Sequence, residues 1–177
     1  LEIEQHSKMK DYVKDLNYMY KDEKSLYELD NTYKGFDFID PNNKDQSIIT
    51  LMRLSKNPKD FIIAVLNFTP NVYYDYKVGV PYEGVYEEIL NSDNEKYYGS
   101  NQTMADAELV SVDEKWHNKP YHITIKVPPL GATFIKLKRE KVKVLLIQIA
   151  LLIGILVLWE ILANAGIIQT FLFSKPS

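Results

Sequence analysis

Phe61-Ile62-Ile63-Ala64-Val65-Leu66-Asn67-Phe68-Thr69-Pro70 is the stretch on which the fold of this chain turns. A short run rich in β-branched and aromatic residues, closed by a proline, predicts a buried strand rather than a helix. Just before it, Asn57-Pro58-Lys59-Asp60 has turn chemistry, and before that Ser47 to Leu54 is a second β-branched apolar run. The two runs predict a central hairpin.

The same alternation of short strand and turn extends outward on both sides. Upstream, Phe36, Phe38 and Ile39 begin a strand, and Asp40-Pro41-Asn42-Asn43 predicts a turn. Downstream, strands are expected over Val72 to Val78, Val85 to Leu90, Leu109 to Val112, His122 to Val127 and Ala132 to Leu137. Asn91 to Asp106 reads as a long polar loop, and Pro128-Pro129-Leu130-Gly131 as a turn. Short strands at this spacing predict a mainly β fold, an antiparallel sandwich or barrel. Ahead of them Met9, Val13, Leu16 and Tyr20 recur at helical spacing, with a further helical turn from Glu23 to Tyr27. One amphipathic helix cannot bury its stripe alone, so it is expected to pack on the strand-rich domain after it or on a missing domain.

Beyond Lys138 the composition changes. Lys136, Lys138, Arg139, Lys141 and Lys143 form a basic collar, and Val144 to Trp159 is apolar apart from Gln148. With Ile161 to Ala163 beyond Glu160, this predicts a membrane-spanning helix over 144–163, with the lipid bilayer as partner and its basic end in the cytoplasm. Ile167 to Phe173 is too short to span. The expected organisation is therefore 1–30 helical, 31–139 all-β, and 140–177 collar and membrane segment.

Composition narrows the chemistry. The chain has 177 residues, a net charge of −3 and no cysteine. Disulfides and thiolate sites are excluded, and bulk electrostatics do not favour nucleic acid as a partner. The start at Leu1, with polar residues after it, predicts an internal segment of a longer frame without a signal peptide. His6, His117 and His122 do not have metal-ligand spacing, and Gly79, Gly84 and Gly99 are isolated turn glycines rather than a phosphate loop. No cofactor or metal is expected. Asn67-Phe68-Thr69 and Asn101-Gln102-Thr103 are formal glycosylation sequons.

Thirteen tyrosines and seven phenylalanines stand out. Most are assigned to strand packing. Trp116, Tyr97, Tyr98 and Tyr121 fall in or beside loops, where aromatic faces can stack on sugar rings, and Asn101 and His117 can hydrogen-bond hydroxyls. The competing role for all six is packing of the loops or of a neighbouring domain.

An ordered set of landmarks gives this pattern a family. Val13-Lys14-Asp15-Leu16-Asn17 and Leu26-Tyr27-Glu28-Leu29-Asp30 are followed by Gly35-Phe36, Ile39-Asp40, Asn67 to Pro70 and Gly79-Val80-Pro81. Then come Glu83-Gly84, Ile89 to Asp93, Tyr98-Gly99-Ser100-Asn101, Trp116-His117 and Pro128 to Ala132. Together they resemble the C-terminal part of bacterial 1,4-α-glucan (glycogen) branching enzymes, over about three quarters of the chain. The resemblance implies that residues 1–30 are the terminal helices of a missing catalytic barrel, which is the expected partner, that an α-amylase-type C-terminal all-β domain follows, and that an α-glucan is the parent's substrate. It implies that the parent cleaves an α-1,4 bond through a glycosyl-enzyme intermediate and transfers the chain to a 6-hydroxyl. That reaction needs two carboxyl groups across the bond. In the family they lie on barrel strands that precede Leu1, so no catalytic residue is carried over, and Asp15, Asp22, Glu23 and Asp30 read as solvated surface.

Residues 141–177, with Leu158-Trp159-Glu160 as landmark, resemble the first transmembrane helix of an ABC-transporter permease of the nitrate/sulfonate/taurine type. The expected product is a non-catalytic branching-enzyme fragment, cytoplasmic over 1–139, fused to a permease-like helix anchored in the inner membrane. The alternatives are a membrane-anchored glucan-binding β-domain and a truncated permease.

Overall fold

The structure, a computed structural model, describes residues 3–105, 107–138 and 141–164, and within the last stretch side chains over 148–162. Contacts divide the chain after Lys138 into two units, 1–138 and 139–177.

The first unit is built on antiparallel pairing. Strands β1 (Phe36–Asn43), β2 (Ile48–Leu54), β3 (Phe61–Asn67), β4 (Tyr73–Val80), β5 (Val85–Asn91), β6 (Leu109–Val110), β7 (Tyr121–Val127) and β8 (Ala132–Leu137) form two sheets. The larger is six-stranded in the order β1-β2-β3-β8-β5-β6, and the smaller pairs β4 with β7. The Phe61 run is the hub: β3 pairs with β2 on one side (Leu51 with Ala64) and with β8 on the other (Ile135 with Ile63).

Period-2 alternation gives β3 two buried faces. Phe61, Ile63 and Val65 meet Ile123, Ile125 and Val127 of β7, with Val78 and Val80 of β4, in the core between the sheets. Ile62 and Ala64 point to the opposite face and are also buried. That face is covered by the segment after α1 (Glu4–Asp22), whose 3-10 turn Lys24–Leu26 packs on β2 and β3. Arg53 of β2 fixes it by donating to the carbonyls of Leu26 (3.0 Å) and Gly35 (3.3 Å) and pairing with Asp30. Lys136 of β8 adds pairs to Glu23 and Asp60.

Four expectations change. Asp40 to Asn43 is strand, not turn, and the chain reverses over 44–47 instead. Proline is tolerated there because β1 is an edge strand with register shifts at Phe38/Asp40 and Asp40/Asn43. The α1 stripe is rotated: Tyr12, Asp15, Leu16 and Met19 are the half-buried face, whereas Met9 (59%) and Val13 (47%) are exposed. An aromatic and a carboxylate aimed at one loop outweigh the apolar pattern there. Asp15, Glu23 and Asp30 are not merely solvated, since each holds a cation contributed by the β-domain.

The fourth concerns the second unit. Helix α2 runs over Lys141–Asn164. Among the described residues no helix is long and apolar enough to cross a membrane, so the spanning helix over 144–163 and its bilayer partner are not supported.

Candidate glycan-contact surfaces

The six candidate residues fall into two groups, and no contact among the described residues joins them. The first is the loop after β5. Asp93 organises it, accepting from Ser100 N and Oγ (both 2.8 Å) and from Gln102 N (2.9 Å). Gly99 has to be glycine, because a Cβ there would lie 2.1 Å from the Asp93 carbonyl oxygen. Asn94 caps the 3-10 turn Glu95–Tyr97 by accepting from Lys96 N at 2.8 Å. Tyr98 and Asn101 follow with positive φ, of 71° and 64°.

Tyr97 packs edge-on against Tyr12, ring centroids 5.1 Å apart, and donates to Asp15 Oδ2 at 2.7 Å. Lys96 first, and Tyr97 second, hold the Asp15 carboxyl below the usual range, while burial and the Asp15 carboxylate push the Tyr97 phenol up. Tyr97 is therefore a packing residue that docks α1. Tyr98 is exposed and accepts from Gln5 Nε2 at 3.3 Å, and Asn101 is exposed with its N–H on the Asp93 carbonyl at 2.7 Å. An open groove of about 550 Å³ lies beside this loop, lined by Met9, Tyr12, Leu66, Phe68, Tyr97 and Leu130 among others.

The second group sits on a turn beside the small sheet. Trp116 and Lys119 exchange both backbone hydrogen bonds, at 3.1 and 2.8 Å, across His117 and Asn118, whose φ values of 46° and 59° make a type I′ turn. The turn presses on β4: a Cβ on Gly79 would lie 2.2 Å from the Trp116 carbonyl oxygen. His117 is half-buried, with Nε2 at 3.4 Å from Asp40 Oδ2, and Gly79 N donates to its Nδ1 at 3.5 Å. Burial pushes its imidazole pKa down, and Asp40 partly opposes this. Trp116 keeps 39% of its surface exposed, with Lys77 Nζ 5.0 Å from its ring centroid. Tyr121 pairs with Val80 and, half-buried, packs against the core.

Residues that sequence reading passed over complete this second surface. Lys77, Thr124 and Lys126 alternate with core residues of β4 and β7 and so share the outer face with exposed Tyr74. The alternation itself was the signal. Asn67 is unavailable as a sequon: it is buried, donates to the Asn71 and Pro128 carbonyls (both 2.8 Å) and accepts from Thr69 N and Oγ1. Among the described residues no group of three or more His, Asp or Glu could hold a metal ion. Burial raises the Glu88 carboxyl, but its oxygens are taken by Asn91 Nδ2 (2.9 Å) and Met104 N (3.2 Å).

Comparison with known proteins agrees with this architecture. The chain is 45% identical over 136 residues to a 1,4-alpha-glucan branching enzyme GlgB of Halothermothrix orenii, covering 77% of this chain and 21% of that protein. It is 44% identical over 141 residues to the enzyme of that name from Oceanobacillus iheyensis, covering 80% and 22%, and 45% identical over 138 residues to that of Francisella philomiragia, covering 78% and 21%. The chain thus spans about a fifth of the length of these relatives. The permease resemblance of the tail receives no support from these matches. Residues 38–138, the whole of the paired-strand region from mid-β1 to the end of β8, match the family described as alpha amylase, C-terminal all-beta domain, and the chain belongs to that family.

Proposed function

We propose that residues 1–138 are the C-terminal, non-catalytic module of a glycogen branching enzyme, working in the cytoplasm beside a catalytic barrel contributed by another part of the parent protein. The observation that carries this reading is the 45% identity over 136 residues to a branching enzyme. The parent reaction moves an α-1,4-glucan chain onto a 6-hydroxyl and needs a nucleophile and an acid/base flanking the bond. Asp15 of α1, with Glu23 and Asp30 after it, is committed to an ion pair, which suits a buttress rather than a reaction centre. A chimera tests it: residues 8–138 replace the matching segment of the Halothermothrix orenii enzyme. Soluble chimera that still forms α-1,6 branches is the expected result. Soluble, folded chimera without branching would overturn the reading.

A second reading concerns α2. Its described residues, from Ile149 to Ile161, are exposed and apolar around the whole helix apart from Glu160. A helix apolar all round prefers lipid or an apolar partner to water. We propose that α2 holds the module against a membrane surface. Fractionation checks this: recovery of the full chain in the soluble fraction without detergent would dismiss it.

A further inference from the structure

We infer that the surface on which α2 rests is anionic, a layer of acidic phospholipid headgroups met by the start of the helix. This rests on the reading of α2 as a membrane-surface helix and names the lipid that it selects. Two observations carry it. The first is the apolar surface of α2. Ile149, Leu152, Ile155, Val157, Leu158 and Ile161 are each between 46% and 62% exposed. At 3.6 residues per turn these positions fall right round the helix. A protein groove covers one face of a helix, whereas acyl chains at the headgroup boundary conform to whichever face they meet.

The second is where the charges stand. α2 opens on Lys141 and Lys143, and its first turn holds no acid. Arg139 and Glu140 before them cancel. Glu160, the acid within α2, stands about 28 Å along the helix at 1.5 Å per residue. That exceeds the Debye length of about 8 Å at physiological salt, so the two ends act separately. A helix macrodipole favours carboxylates at its start and cations at its end, so this placement does not serve the helix itself. It complements a negative surface. The rest of the chain runs against such an attraction, since residues 1–138 hold 17 Lys and Arg against 22 Asp and Glu. Lys136 and Lys138 are already paired, the one with Glu23 and Asp60 and the other with Glu108. Lys141 and Lys143, which adjoin the apolar run, are then what draws the chain to anionic lipid.

Flotation tests this with the full chain, diluted from detergent into vesicles of phosphatidylcholine alone or of phosphatidylcholine mixed with phosphatidylglycerol. Bound chain floats and aggregated chain sinks. Partition should favour the anionic vesicles by roughly tenfold to thirtyfold in dilute salt, from about fivefold per lysine. The preference should vanish at about 1 M salt, where the Debye length is about 3 Å, while binding to both vesicle types persists. Lys141→Gln combined with Lys143→Gln should bind both types equally. Trp116→Phe leaves Trp159 of α2 as the only tryptophan, and its emission should move to the blue on binding. Trp116 emission in the Trp159→Phe background should stay where it is. Equal partition of the unaltered chain between the two vesicle types would overturn the lipid choice and leave α2 as a surface helix. A preference that survives the double glutamine change, or a vesicle-induced shift of Trp116, would overturn the assignment to the start of α2. Absence from both floating layers would overturn the α2 reading together with this one.

Discussion

Tyr97 donates its phenolic O–H to the Asp15 carboxylate at 2.7 Å, joining positions 82 residues apart in the chain. This bond, with Lys96 on the same carboxylate, ties α1 to the loop after β5. Tyr97→Phe should cost about 1 kcal/mol of stability, read as a shift in urea midpoint, because it removes one charge-assisted bond and leaves the ring packing on Tyr12.

The same contact sets a pH window. The Asp15 carboxyl is depressed below its ordinary value of 3.8, so its contribution is present above that pH and is lost as pH falls through the folded value. The Tyr97 phenol is raised above 10.0, so its contribution is present below that pH and is lost as pH rises through the folded value. Docking of α1 should therefore weaken at both extremes. Tyr97→Phe should weaken the alkaline limb and, because Tyr97 also helps to hold the Asp15 carboxyl down, shrink the acid limb in part, as followed by helical circular dichroism.

His117 adds a transition nearer neutrality. Burial lowers its pKa, so the neutral ring is the form the fold prefers. Its contribution is complete above the ordinary 6.5 and is lost as pH falls below it through the folded value. The groups facing the ring are Asp40 from β1, the Tyr76 ring and Gly79 N–H from β4, and Trp116 from its own turn. Acidification should change Trp116 fluorescence in the Trp159→Phe background. His117→Asn, which accepts the positive φ, should flatten that profile.

Gly79→Ala should destabilise the domain by about 1–3 kcal/mol, because its Cβ has no room against the Trp116 carbonyl and the turn must lift. A red shift of Trp116 emission together with a lower melting temperature is the expected pair of readouts.

Two neighbours on β8 should respond in opposite senses. Ile135 is fully buried between the sheets, and Ile135→Ala should cost about 2–5 kcal/mol. Thr133 is equally buried, and its hydroxyl has no hydrogen-bond partner among the described residues. Thr133→Val keeps the shape and removes an unpaired polar atom, so stability should be unchanged or gain about 1 kcal/mol by thermal unfolding.

Local pattern carried the sheet well where one effect dominates. Ala132 to Leu137 is β8 to the residue, because a turn of two prolines and a glycine fixes where it begins. It failed where tertiary pairing competes. Pro41 signals a turn locally, yet an edge strand with shifted register has room for it. Met9 and Val13 outline an apolar stripe, yet the face that docks is chosen by Tyr12 and Asp15, whose partners Tyr97 and Lys96 lie far along the chain. Trp116 and His117 were legible as a pair. Their neighbours Tyr74, Lys77 and Thr124 were not, because only the β4–β7 register sets them beside that turn. The family itself was legible from the order of its landmarks, whose separate pieces carry little.

The 116–119 turn reaches past its own sheet to β1, with Lys119 on Asp37 at 2.6 Å and His117 on Asp40 at 3.4 Å. An edge strand carries a row of unpaired N–H and C=O groups that invites another chain. A turn tethered to two β1 aspartates, with Pro41 beyond them, guards that row. Its release at low pH would therefore register as self-association of the domain before any loss of strand structure.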